Sequence, residues 1–195
     1  MNQPIIYHLQ SRMQPEQIGN KARNLRSLME IRKIKIPDSW VIPWDVFQRY
    51  QTGDGFVVEE LESAIQNHLD LSKSYAVRSS SNIEDDSFVS FAGLFKTVLH
   101  AKGPDNVCQA VVEVWESTQT EIVHLYVNKI NGSPDAIHMA VIIQEMVPPV
   151  FSGVLFSRNP MTGLNEVVIE GVPGDGTALV QDGVTPERWV SRKGS

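Results

Sequence analysis

Apolar periodicity changes character along this chain, and that change limits the folds open to it. Residues 21–32 carry Ala22, Leu25, Leu28, Met29 and Ile31 near helical spacing, with Asn20 as the expected N-cap. Residues 43–51 and 59–69 read as two further helices, the second through Leu61, Ala64, Ile65 and Leu69. A long helix is expected from Gly103-Pro104-Asp105 to Asn131-Gly132. Its buried stripe would be Val107, Ala110, Val111, Val114, Thr118, Ile122 and Leu125. Short strands are expected at 5–9, 39–42, 75–78 and 97–101. Three apolar strands then follow in succession, at 139–147, 153–157 and 166–170, separated by Pro148-Pro149 and Asn159-Pro160-Met161-Thr162-Gly163. Helices ahead of a strand-rich end give an α+β (mixed α/β) fold.

Composition narrows the function classes. The 195 residues are 42% apolar and 21% charged, which is ordinary for a globular chain and excludes a disordered acidic tail or a disulfide-built miniprotein. Seventeen cations against twenty-three acids leave −6. No basic stripe stands out, so sequence-independent nucleic-acid binding is disfavoured, although a phosphate site needs only a few local cations. Cys108 is the single cysteine and reads as core. The opening MNQPIIYHLQ lacks the basic and apolar regions of a signal peptide, and no apolar run reaches membrane-spanning length. The expectation is a reducing cytoplasm, no membrane partner, and Asn131-Gly132-Ser133 as a helix-ending turn.

Several residue groups could carry chemistry. Lys21 stands at the front of a helix, where a cation opposes the helix dipole unless an anion joins it. Arg78 ends the apolar strand Tyr75-Ala76-Val77 and is followed by three serines. Such an arginine must reach water or a partner, either a phosphate or a carboxylate of Glu84, Asp85 or Asp86. Ser90-Phe91-Ala92-Gly93 places small residues where a backbone could approach phosphate oxygens, or could simply bend as a hairpin. Gln144, Glu145, Met146 and Val147 end a buried strand, where an adenine ring could satisfy the polar groups and cover the apolar ones. Gly171–Gly176 looks phosphate-loop-like, but Pro173 lacks an N–H and Asp175 would repel an anion. Neither G-x-G-x-x-G nor G-x-x-x-x-G-K-[ST] occurs. The five histidines are scattered, the acids at 84–86 are adjacent rather than convergent, and no metal ligand is assigned.

The order of these groups resembles one family. Ile18-Gly19-Asn20-Lys21 with Asn24-Leu25, then Ile36-Pro37 ahead of Trp40-Val41-Ile42, is similar to the opening of phosphoenolpyruvate synthases and pyruvate phosphate dikinases. Tyr75–Ser81, Glu84-Asp85, Ser90–Gly93, Thr97, Ile143–Val147, Ser152–Gly163 and Val184–Glu187 resemble that family's further motifs in the same order. The resemblance implies an ATP-grasp nucleotide-binding domain with ATP between subdomains, here 1–72 and 73–195. It assigns the phosphates to Lys21 and Arg78, which would be the catalytic cations. Ser90, Ala92 and Gly93 would cover the phosphates with Thr97 close by, and Gln144 to Val147 would hold adenine. It also implies phosphorylation of a histidine on a separate swivelling domain, which passes the phosphoryl group to pyruvate or another small molecule. The family's metal-binding glutamate, its "LQxRP" glutamine and its phosphocarrier histidine have no match here. The chain is therefore expected to be a part of the fold, incomplete at its C-terminal side, with Mg2+ ligands and the lid segment elsewhere. Gly19-Asn20 replaces a glycine pair, and the glutamate closing "GLGE" is missing at Glu170–Gly176. The alternatives are a non-catalytic nucleotide-binding or assembly module of a split enzyme, and ATP-grasp ligase chemistry on a carboxylate.

Overall fold

A computed structural model describes residues 4–83, 94–129, 137–176 and 185–192. The chain divides into two compact units, 1–146 and 147–195. The boundary expected after residue 72 falls inside the first unit, between a helix and a strand. The class is α+β, with every strand pair among the described residues antiparallel.

The first unit holds a five-stranded sheet in the order β1-β2-β5-β3-β4. Its strands are β1 (Tyr7–His8), β2 (Ser39–Ile42), β3 (Ser74–Ser81), β4 (Thr97–Lys102) and β5 (Met139–Glu145). β5 is central because it is the most apolar, with all five residues from Met139 to Ile143 buried. Alternation along the strands sorts the side chains onto two faces. Tyr75, Val77, Ile42, Val141 and Ile143 enter the larger core beneath α2 (Trp44–Gln51), α3 (Val57–His68) and α4 (Pro104–Glu116). Val41, Ala140 and Ile142 lie on the other face, where Ile18, Ala22 and Leu9 cover them. Here α1 (Gly19–Leu28) packs on β3 and β5.

Five expectations are corrected by this arrangement. Asn20 does not cap α1, since the helix begins at Gly19 and the N-cap position is Ile18 with no side-chain bond. The helix also ends at Leu28, so Leu28 and Ile31 are exposed rather than core. β3 runs on through Ser79, Ser80 and Ser81, because all three are buried and paired with β5. The long helix from 103 breaks at Ser117–Gln119, where the Ser117 and Thr118 hydroxyls bond back to the carbonyls of Val114 and Trp115. That break shifts the phase of α5 (Glu121–Lys129), burying Val123 and Val127 and exposing Ile122 and Leu125. Finally, six cations do cluster, between Lys21 and Lys35.

The second unit is a three-stranded meander of β6 (Phe151–Phe156), β7 (Glu166–Pro173) and β8 (Glu187–Arg192). The last of these was not foreseen. Its register sets Glu166 opposite Arg192 and Glu170 opposite Arg188, and both pairs form ion bridges, at 3.6 and 3.4 Å. Asn159 organises the loop between β6 and β7: its side-chain oxygen accepts from the N–H groups of Met161 and Thr162, and its amide donates to Glu166. Gly171, Val172 and Pro173 lie inside β7, so the first half of this glycine-rich stretch is strand, and the chain turns only at Gly174, where φ is +75°. Among the described residues no helix is long and apolar enough to cross a membrane.

Candidate nucleotide site

Four of the expected site residues, Lys21, Arg78, Thr97 and Gln144, come together on the α1 face of the first sheet, while Glu145 alternates onto the opposite face. β3 carries Arg78 on that face, opposite Ile142 of β5 and Thr97 of β4. Gln144 occupies the diagonal position and pairs directly with Ser39 of β2. A line of hydrogen bonds follows from that register. Arg78 Nη1 donates to Gln144 Oε1 at 3.2 Å, Gln144 Nε2 donates to Ser39 Oγ at 3.1 Å, and Ser39 Oγ–H donates to the Pro37 carbonyl at 2.7 Å. Both ends of the Gln144 amide are thus engaged, one of them with a guanidinium nitrogen of Arg78. Ser39 is fully buried and sits 105 residues from Gln144, so no local pattern could have announced it.

Lys21 reaches the same strand one residue further on. Its ammonium donates to the Ser79 carbonyl at 2.9 Å and to Ser79 Oγ at 3.3 Å. The start of α1 is clamped there by Ser80. Its buried hydroxyl accepts from the Ala22 N–H at 2.9 Å and donates to the Ile18 carbonyl at 2.7 Å. This bond does the work of a helix cap from another element. Gly19 makes the approach possible: its φ is +69°, and a Cβ there would overlap the Ser80 carbonyl and come 2.8 Å from Ser80 Oγ. Ser79 and Ser80 are therefore supports for α1, a role the sequence pattern does not assign to them.

The strand end from 144 to 147 is partly committed. The Glu145 carboxylate holds Lys73 at 2.8 Å, and that contact raises the Lys73 pKa. The N–H of Glu145 donates to Asp38 and that of Met146 to Ser74. Met146 is half-buried, and Val147, which opens the second unit, is 56% exposed. Thr97 is exposed beside Arg78. Ser90, Ala92 and Gly93 lie outside the described residues, as do Glu84, Asp85 and Asp86. Among the described residues no group of three His, Cys, Asp or Glu side chains is placed to hold a metal.

Two cations and a half-buried amide are thus fixed along one strand of an α+β unit, beside a glycine-opened helix start. The comparison with known proteins names the family: residues 56–195 match the pyruvate phosphate dikinase AMP/ATP-binding domain, and the chain belongs to it. It is 40% identical over 119 residues to phosphoenolpyruvate synthase of Aeropyrum pernix, covering 60% of this chain and 14% of that protein. It is 30% identical to the uncharacterized phosphotransferase YvkC of Bacillus subtilis, over 91% of this chain and 24% of the relative. Rifampicin phosphotransferase of the same organism is also 30% identical, over 91% of this chain and 20% of the relative. The chain thus spans between about a seventh and a quarter of the length of these relatives.

Proposed function

We propose that this chain is the ATP-grasp portion of a dikinase-type phosphotransferase in the cytoplasm, and that Lys21 and Arg78 grip the phosphates of ATP. One observation carries the reading: an ammonium and a guanidinium from segments 57 residues apart in sequence are fixed on adjacent residues of one strand, Ser79 and Arg78. The donor set fits a polyphosphate, since a lysine point charge and a forked guanidinium both make charge-assisted bonds to phosphate oxygens. Bound ATP supplies the activated phosphoryl group. The chain's part is to hold that group still and to offset the negative charge that develops on its oxygens.

The roles divide by residue. Gln144 positions Arg78 through its amide oxygen and keeps a second amide N–H for the base. Adenine contact is shared with Glu145, Met146 and Val147, Met146 supplying a polarisable apolar surface. Thr97 stands next to Arg78 in register and would face the phosphates, with Ser90, Ala92 and Gly93 over them. An accompanying Mg2+ would be held mainly by the phosphates and by ligands outside this sequence. The phosphoryl acceptor is a histidine on a separate swivelling domain, supplied by the same full-length protein or by a second chain. From there the group passes to pyruvate or another small molecule.

Titration calorimetry with ATP tests the grip. Lys21→Ala and Arg78→Ala should each weaken ATP binding by at least about tenfold, the worth of one charge-assisted hydrogen bond. Unchanged affinity in both variants overturns the assignment. Radiolabel from ATP should reach a histidine only when the histidine domain is supplied. Retained ATP binding with no labelled histidine under that condition would favour a non-catalytic nucleotide-binding module.

A further inference from the structure

Positive charge on this acidic chain is concentrated in one place. Lys21, Arg23, Arg26, Arg32, Lys33 and Lys35 fall within fifteen residues that contain a single acid, Glu30. The rest of the chain carries eleven cations against twenty-two acids. Elsewhere five cations are matched to carboxylates, Arg49 to Asp54 and Glu60, Lys73 to Glu145, Lys96 to Glu113, Arg188 to Glu170 and Arg192 to Glu166, while Arg12, Lys102 and Arg158 stand singly along the chain. Among the described residues Arg23, Arg26, Arg32, Lys33 and Lys35 form no ion pair.

The same stretch presents aliphatic side chains outward. After α1 the chain winds on with three-residue turns, the N–H of Ile31 bonding Leu28 and that of Ile34 bonding Ile31. Leu28, Ile31 and Ile34, joined by these two turns, leave a short aliphatic ridge exposed, at 39%, 48% and 41%, with Arg32, Lys33 and Lys35 exposed between and beside them. Next to it Ile18, Arg23, Arg26, Ser27 and Glu30 line a hollow of about 210 Å³, the size for a single side chain.

We infer that this ridge and its unpaired cations form a docking surface for an acidic protein face, one that presents carboxylates around an aliphatic centre. An apolar core with a charged rim is the anatomy of a protein interface. Five unpaired cations on a chain of net −6 set the sign of the partner. A nucleic-acid surface would need phosphate-reaching cations without an aliphatic ridge, and a membrane surface would need a longer apolar helix face with aromatic anchors. The inference stands apart from the nucleotide reading, although α1 carries both Lys21 and part of this surface.

The test is fluorescence anisotropy with a labelled helical peptide bearing Glu on one face and Leu on the other. Phosphatidylserine vesicles and duplex DNA serve as competing probes. The peptide should bind, more weakly as salt is raised. Arg32→Glu with Lys33→Glu and Lys35→Glu should reduce its affinity at least about tenfold. Ile31→Ser with Ile34→Ser should reduce it severalfold at high salt as well. All five side chains are exposed, so far-UV circular dichroism should be unchanged. Lys33→Gln with Lys35→Gln gives a milder pair, expected to weaken binding in the same direction. No binding of the peptide, equal binding by the charge-reversed protein, or tighter binding to vesicles or DNA overturns the inference.

Discussion

Gly19→Ala is the sharpest probe of how the candidate site is built. The residue is buried at the start of α1 with φ at +69°, and a Cβ there would strike the Ser80 carbonyl and lie 2.8 Å from Ser80 Oγ. Holding alanine in the left-handed region costs about 1–2 kcal/mol. Relieving the overlap means moving α1 away from β3, which breaks the two hydrogen bonds of the buried Ser80 hydroxyl, each worth about 1 kcal/mol. The expected loss is about 3–4 kcal/mol, a large share of the ~5–15 kcal/mol typical of a domain. Ser80→Ala removes the bonds without the overlap and should cost about 2 kcal/mol. Urea unfolding followed by tryptophan fluorescence measures both. A second readout separates this clamp from ordinary packing. Because the clamp positions Lys21, ATP affinity measured well below the unfolding range should fall in Gly19→Ala even where the protein is fully folded. A stability change under about 1 kcal/mol, or unaltered ATP affinity in the folded variant, would refute the claim that close approach of α1 to β3 positions the lysine.

Two further outcomes follow from titrating groups. Burial pushes the Cys108 thiol up to about 11, so it should resist alkylation at pH 8 in the folded protein and react rapidly in urea; equal rates would contradict its burial. Arg49 holds Asp54 below its ordinary pKa, and Lys96 does the same to Glu113. The stability these carboxylates supply is complete above their ordinary range and is lost as pH falls through the lowered values. Arg49→Gln should therefore flatten the acid side of the thermal-midpoint profile and leave it little changed in shape near neutrality.

The legible parts of this chain were the ones written locally. α2 and α3 fall within two residues of their expected bounds because their apolar spacing, turn glycines and flanking proline all act at short range. Arg78 and Lys21 stood out because a cation at a strand end and another at a helix front both need an explanation. The parts that were not legible depend on distant partners. Nothing near Ser39 indicates that its hydroxyl braces Gln144, and nothing near Ser80 indicates that it caps a helix 58 residues away. The break at Ser117–Gln119 is hidden in the sequence because an apolar stripe continues through it. Only the hydroxyls bonding back to Val114 and Trp115 reveal the change of phase.

The central place of β5 has a consequence for how the first unit comes into being. Its neighbours, β2 and β3, are made long before it, with Ser39 and Gln144 facing each other across the finished ladder. A nascent chain ending ahead of residue 139 holds two separate pairs, β1 with β2 and β3 with β4, and no strand to join them. Closing that gap late, across a large separation in sequence, is an entropically slow step. During synthesis the inner edge of β2 stays open while 103 more residues are added, and that of β3 while 64 are.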